Sequence, residues 1–313
     1  MAHHDDERDA RSARGSEEMV DVASQPGPVA DSGLAARRDE AERRKAGPEH
    51  DYHKGAVTLR GKHVPRTTTD QRLLDSNFEA DWVHTDPWRV MRIQAEFVEG
   101  FGALAELGPA ISVFGSARLK SEHPAYAVGE QVGRALVKEG FAVVTGGGPG
   151  AMEAANKGAF ESGGTSVGLG IELPFETGLN RFVNLGVNFR YFFVRKTVFV
   201  KYTQGAIVLP GGVGTLDEMF EAITLVQTQK VTHYPIVLVG TAFWSPLREW
   251  LRATVLAEGM ISERDVDRMV IVDTAEEAIA FIRDAHRAAR AGDGAEAMDL
   301  VPEFAMQRIG VHG

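Results

Sequence analysis

The stretch AIVLPGGVGTLDE, residues 206–218, runs from four apolar side chains through a proline and a glycine-rich turn into a threonine and two acids. A short apolar run bounded by glycine reads as a buried strand, and the residues after the turn read as the opening of a helix. The same order recurs along the chain. Residues 110–114 end at Gly115 and Ser116, and residues 141–144 end at Thr145-Gly146-Gly147-Gly148-Pro149-Gly150. Further apolar runs cover 166–171, 235–239 and 269–272, with helix-like stretches at 123–139, 150–162, 189–203, 214–228, 244–257 and 274–289. Strands that are apolar on both faces and alternate with helices predict a doubly wound α/β domain, a parallel sheet with helices on both faces. The chain shows no internal repeat.

Outside this region the composition changes. Residues 1–50 hold 12 acids, 8 bases, no aromatic side chain and few larger apolar ones. Such a segment buries too little surface to offset its chain entropy, so a disordered tail is expected over 1–64. A helical extension is expected over 65–108, the sheet domain over 109–290 and a second tail over 291–313. Within the extension, Thr85-Asp86-Pro87 reads as a helix start, and Ile93, Phe97, Phe101 and Leu104 recur at helical spacing until Gly108-Pro109.

Composition narrows the function classes. No run approaches the roughly 18 apolar residues of a membrane helix, and the opening MAHHDDERDA lacks the apolar core of an export signal. The absence of cysteine removes disulfides, thiolate nucleophiles and thiolate metal sites together, which suits a cytoplasmic setting. A net charge of -10 argues against a general nucleic-acid binder, so an anionic ligand must be held locally.

In an open parallel sheet the ligand crevice lies beyond the carboxyl ends of the strands, where strand order reverses. Three glycine-rich turns are expected there: Gly115-Ser116-Ala117-Arg118, Gly146 to Gly150, and Gly211-Gly212-Val213-Gly214-Thr215. Glycine lets backbone N–H groups converge on an oxyanion, and the following helix adds its positive end. Glycine also serves tight turns for geometry alone; three such turns on one edge favour a phosphate. None is a Walker A loop or a full dinucleotide fingerprint.

Glu218 has two readings. Thr215-Leu216-Asp217-Glu218 matches a capping box, in which the carboxylate merely closes a helix start. The alternative is a catalytic acid at the end of the glycine turn. Arg195 and Lys196, inside a mostly apolar helix-like run, either reach solvent along their stems or face an anion.

Together these motifs resemble the Lonely Guy family, cytokinin riboside 5′-monophosphate phosphoribohydrolases often mislabelled as lysine decarboxylases. The family signature PGGxGTxxE stands intact as Pro210-Gly211-Gly212-Val213-Gly214-Thr215-Leu216-Asp217-Glu218, its Arg-Lys pair matches Arg195-Lys196, and its glycine-rich second turn matches Gly146 to Gly150 with Met152-Glu153 behind it. The resemblance covers roughly residues 75–290 and is similar in its long N-terminal extension to the larger bacterial members. It implies a Rossmann-like fold, a nucleoside 5′-monophosphate substrate, free base and ribose 5-phosphate as products, a site completed at a homodimer interface, and no metal or organic cofactor. The extension, with Trp82, Trp88, Phe97 and Phe101, favours assembly beyond the dimer, as in a hexamer.

Cleaving an N-glycosidic bond develops positive charge on the ribose, which a carboxylate beside the anomeric carbon would stabilise. Glu218 is the expected catalytic carboxylate, with Arg195 holding phosphate or ribose oxygens. Expected substrate contacts are Pro210, the amides of Gly211, Gly212, Val213, Gly214 and Thr215, the Thr215 hydroxyl, and Lys196, with Gly115 and Ser116 beside the nucleotide; the resemblance implies Gly147, Gly148, Met152 and Glu153 at the base. A broad nucleoside-monophosphate nucleosidase and a non-catalytic nucleotide carrier are the competing readings.

Overall fold

In a computed structural model of the chain, residues 52–54, 57–59, 64, 68–74, 87–172 and 178–291 are described. The expected tails lie outside the described residues, apart from residues 64 and 291 and two short paired antiparallel strands, β1 (Tyr52–Lys54) and β2 (Val57–Leu59). Trp82, Thr85 and Asp86, expected near the start of the extension helix, lie outside them too. The body contains strands β3 (Ala110–Phe114), β4 (Ala142–Thr145), β5 (Ser166–Ile171), β6 (Leu185–Phe189), β7 (Ala206–Val208), β8 (Ile236–Val239) and β9 (Val270–Val272). They form one seven-stranded sheet in the order β6-β5-β4-β3-β7-β8-β9, with every pairing parallel. Strand order reverses between β3 and β7, which places the ligand crevice above that seam.

Each strand expected from its apolar run is present, and β6 is an addition. It is an edge strand whose residues alternate between half-buried and exposed until Phe189, so it lacks a continuous apolar run. The inner strands are buried on both faces and feed two separate cores. Ile111, Val113, Val143, Ile207 and Val237 point to one side, where they meet Val132 and Leu136 of α3 (Pro124–Lys138), Ala155 and Ala159 of α4 (Ala151–Glu161), and Ile279 and Ile282 of α9 (Ala275–Ala291). Their alternating neighbours Ala110, Phe114, Val144, Val208 and Leu238 point to the other. There they pack on Leu104 of α2 (Pro87–Leu104), Val194 and Phe199 of α5 (Phe192–Tyr202), Met219 of α6 (Val213–Gln227) and Trp244 of α7 (Thr241–Trp250). Full burial of each large aliphatic side chain contributes about 1.5–3 kcal/mol, so the two-sided sheet is the main source of stability.

Two short helices complete the outline: α1 (Thr69–Leu74), in the extension, and α8 (Glu263–Asp267). The stretch expected as one helix over 244–257 is α7 followed by a π-helical turn at Leu251–Leu256. No described helix is long and apolar enough to cross a membrane.

Candidate active site

The three glycine turns meet at the carboxyl end of the sheet and are stitched together through the backbone. Ser116 N donates to Pro210 O at 3.1 Å, joining the first turn to the third, and Ala151 N donates to Ser116 O at 2.9 Å, joining the second to the first. Gly150 makes this closeness possible, because its φ is +69° and a Cβ there would strike the carbonyl oxygen of Ser116. Beneath the second turn lies a buried polar network. Thr145 Oγ1 donates to Asn156 Oδ1 at 2.6 Å and accepts from Gly147 N at 2.9 Å. Asn180 Nδ2 donates to the carbonyls of Gly147 and Gly148 at 3.1 and 3.0 Å, so the turn's outward-facing backbone is fixed from below.

Above the seam opens a cleft of about 620 Å³, large enough for a nucleotide-sized ligand. Of the residues expected from sequence, Gly115, Ser116, Gly148, Met152, Arg195, Gly212, Val213, Gly214, Thr215 and Glu218 line it. Gly147, Glu153, Lys196, Pro210 and Gly211 do not line it; Glu153 sits instead 3.5 Å from the Tyr126 hydroxyl. The structure adds Phe114, Gly170, Leu179, Asn188, Phe192 and Asp217 to the wall. Asn188 belongs to the edge strand that sequence patterning missed; the alternating glycines of β5, Gly168 and Gly170, were the available signal that something packs close there. A second recess, between Val226, Tyr234 and Phe281, holds only about 40 Å³ and is too small for such a ligand.

Helix α6 begins at Val213 with Gly212 as its N-cap, and Thr215 N donates to Gly212 O at 3.0 Å. The capping-box reading of Thr215 and Glu218 therefore fails, because the helix starts before the box would close it. A capping box does occur in the chain, at Ser262 and Asp265. With α6 opening onto the cleft, the amides at its start and its positive end favour an anion there.

Freed from capping, Glu218 turns to the cations of α5. Arg195 Nη1 donates to Glu218 Oε1 at 3.3 Å while Arg195 Nε donates to Leu169 O at 2.7 Å, and its guanidinium lies 5.0 Å from the centre of the Phe199 ring. Both side chains are nearly buried, 11% and 12% exposed. Lys196 points to the acids behind, 2.5 Å from Glu221 Oε2, 2.9 Å from Asp217 Oδ2 and 3.6 Å from Glu218 Oε2. Burial pushes the Glu218 carboxyl above the usual carboxylate range; Arg195 and Lys196 pull it down, and Glu221 and Asp217 push it up again. Burial works against the Lys196 ammonium, yet its bonds to Glu221 and Asp217 raise it overall. The two adjacent cations thus divide: Arg195 faces the cleft beside Glu218, and Lys196 braces the acids of α6. Among the described residues no group of histidines and acids could hold a metal ion.

The profile of the family described as "possible lysine decarboxylase" matches residues 152–282. A Mycobacterium tuberculosis protein named cytokinin riboside 5′-monophosphate phosphoribohydrolase is 34% identical over 153 residues, spanning 48% of this chain and 80% of that protein. The chain belongs to the Lonely Guy family. A second Lonely Guy relative with the same name, from Rhodococcoides fascians, is 30% identical over 159 residues, which cover 49% of this chain and 79% of the relative. Among solved structures, the molybdenum cofactor binding protein of Rippkaea orientalis aligns at 22% identity and a TM-score of 0.42, over 56% of this chain and 95% of that one. The molybdenum cofactor carrier protein of Chlamydomonas reinhardtii aligns at 22% identity and a TM-score of 0.42, over 57% and 98%. Likenesses at that level bear on neither ligand nor chemistry.

Proposed function

We propose that this Lonely Guy protein hydrolyses the N-glycosidic bond of nucleoside 5′-monophosphates, cytokinin riboside 5′-monophosphates and AMP among them, to free base and ribose 5-phosphate. The observation that carries this reading is the buried Glu218 carboxylate, paired with Arg195 on the wall of a cleft into which a helix N-terminus opens. The names of the curated relatives support it. In this reading the phosphate rests on the first amides of α6 and the Thr215 hydroxyl, next to the helix's positive end. As the bond to the base lengthens, positive charge grows on the ribose ring, and the ionised Glu218 stabilises it and orients the attacking water. Water oxygen bonds to the anomeric carbon, the base departs with the bonding pair, and a proton from water ends on the base. Arg195 holds the carboxylate and the sugar in register.

A homo-oligomer belongs to the same proposal. Its support is the unusual number of apolar side chains on the surface of α2, with Trp88 at 67% and Val98 at 71% exposure alongside Val90 and Met91.

The test is base release from AMP, GMP, CMP and isopentenyladenosine monophosphate by the purified chain, compared as kcat/KM. A preference for the prenylated nucleotide above about tenfold, roughly 1.4 kcal/mol of discrimination, supports the cytokinin substrate. A flatter profile marks a broad salvage nucleosidase, and binding of all four without any base release overturns the enzymatic reading.

A further inference from the structure

Helix α5 carries Arg195 and Phe192 to the cleft, yet its own sequence does little to secure its start. Its N-cap, Tyr191, makes no side-chain cap, and no acid stands in the first turn. The orphan amides are taken instead by carboxylates from the N-terminal extension. Glu96, on α2 and only 3% exposed, accepts from Arg190 N at 3.1 Å through both oxygens and from Tyr191 N at 3.3 Å. The Arg190 guanidinium adds an ion pair, with Nε 3.8 Å from Glu96 Oε1. Asp70, on α1, accepts from the next amide, Phe192 N, at 3.0 Å. Asp70 is itself held in place, because Thr68 and Gln71 close α1 with reciprocal bonds of 2.8 and 3.1 Å, and Thr69 Oγ1 donates to Glu172 Oε2 at 2.7 Å.

We propose that Glu96 and Asp70 are positioning residues for the candidate catalytic centre: by accepting three consecutive amides at the start of α5, they fix the register at which this helix delivers Arg195 and Phe192 to the cleft. Two negative groups at the positive end of the helix also favour it electrostatically. Arg195 lies one turn beyond the clamped amides, and its bonds to Leu169 O and Glu218 Oε1 tolerate little movement of the helix. Displacement of about 1 Å, even when caused far from the chemistry, can cost two orders of magnitude in rate. The extension is thereby a working part of the site and not only a surface for assembly. Burial pushes the Glu96 carboxyl up to about 7; the amide of Arg190, its charge and the amide of Tyr191 pull it down, and Glu99 pushes it up. Glutamine keeps the length of the side chain and one oxygen that can accept from these amides, which makes it the conservative variant.

The kinetic arm of the test rests on the nucleosidase reading; the exchange arm does not. Glu96→Ala, Glu96→Gln, Asp70→Ala and, as a packing control on the same extension, Ile93→Ala are compared with the full-length parent. Amide hydrogen exchange over residues 190–196 should accelerate at least tenfold in Glu96→Ala, and less in Glu96→Gln and Asp70→Ala, with exchange in α4 unchanged. With AMP, Glu96→Ala should lower kcat about tenfold or more while KM moves less than about threefold; Glu96→Gln should recover part of the loss, because its amide oxygen still accepts. Ile93→Ala should lose melting temperature but keep kcat within about twofold. Parental kcat in a folded Glu96→Ala, or unchanged exchange at residues 190–192, overturns the inference. If Glu96→Ala does not fold, the same criteria apply to Asp70→Ala, with exchange read at residue 192. A parent that releases no base sinks the nucleosidase reading alone, and the exchange result then decides the clamp.

Discussion

Replacing Glu218 with glutamine separates a chemical role from a structural one. The side chain keeps its length and an oxygen that can accept from Arg195 Nη1, now 3.3 Å away, while Lys196 keeps its bonds to Glu221 and Asp217. Removing one partner of a buried ion pair outright costs about 3–5 kcal/mol, but that figure applies when a buried charge is left alone. Here Arg195 retains Leu169 O, and burial already disfavours the ionised carboxylate, as its raised pKa shows. A group whose folded pKa lies above its unfolded value contributes stability below the unfolded pKa and loses it as pH rises through the folded one, so at pH 8 the charge on Glu218 opposes folding. The neutral isostere should therefore change stability by no more than about 1 kcal/mol, a shift of roughly 2–4 °C in melting temperature for a domain of this size. Base release from AMP should fall by a factor of about a hundred or more, equivalent to at least ~2.7 kcal/mol of lost transition-state stabilisation. The assay is single-turnover and steady-state base release at pH 8 beside a thermal melt of the same preparation. A folded Glu218→Gln with kcat within about threefold of the parent refutes the catalytic assignment.

Three further outcomes are expected. The acid limb of kcat/KM should inflect above the usual carboxylate range, because Glu218 must be ionised and burial raises its pKa; an inflection at or below 4.5 contradicts this. Gly150→Ala should cost at least about 1–2 kcal/mol, since its φ of +69° is strained for alanine and the new Cβ meets the Ser116 carbonyl; an unchanged urea midpoint would show that the two turns can part without penalty. Light scattering at micromolar concentration should give a dimer or larger, and a stable monomer removes the assembly proposal.

Most of the sheet was legible because its inner strands are buried on both faces and so appear as unbroken apolar runs. β6 was not, because at the edge of the sheet Gly186 and Asn188 are exposed and interrupt the pattern. The Glu218 ambiguity was a matter of one turn: Thr215 and Glu218 have capping-box spacing, but Gly212 lets the helix begin at Val213 and leaves the carboxylate to Arg195. Sequence likewise left Arg195 and Lys196 undivided, since two adjacent helical residues point about 100° apart and only the ion pairs to the acids of α6 show which meets the cleft. Glu96 passed unnoticed for a related reason. It lies one position before Phe97, to the side of the apolar stripe of Ile93, Phe97 and Phe101, and nothing local to α2 announces that its partners are amides almost a hundred positions later.

The seam between β3 and β7 also divides the labour of the cleft. On one side, the β4 to β6 half of the sheet contributes Gly148, Met152, Leu179 and Asn188; on the other, the chain after β7 contributes Gly212 to Thr215 and Glu218. Under the proposed chemistry the second half grips the phosphate and does the cutting, while the first decides what is offered to it. Changes in the selecting half can then redirect the protein from one base to another, provided they spare the place where the two halves are joined: Arg195, which donates both to Leu169 O of β5 and to Glu218 of α6. Under that reading, a change of accepted base calls for substitutions at Met152, Leu179 or Asn188 and for none from Gly212 to Thr215.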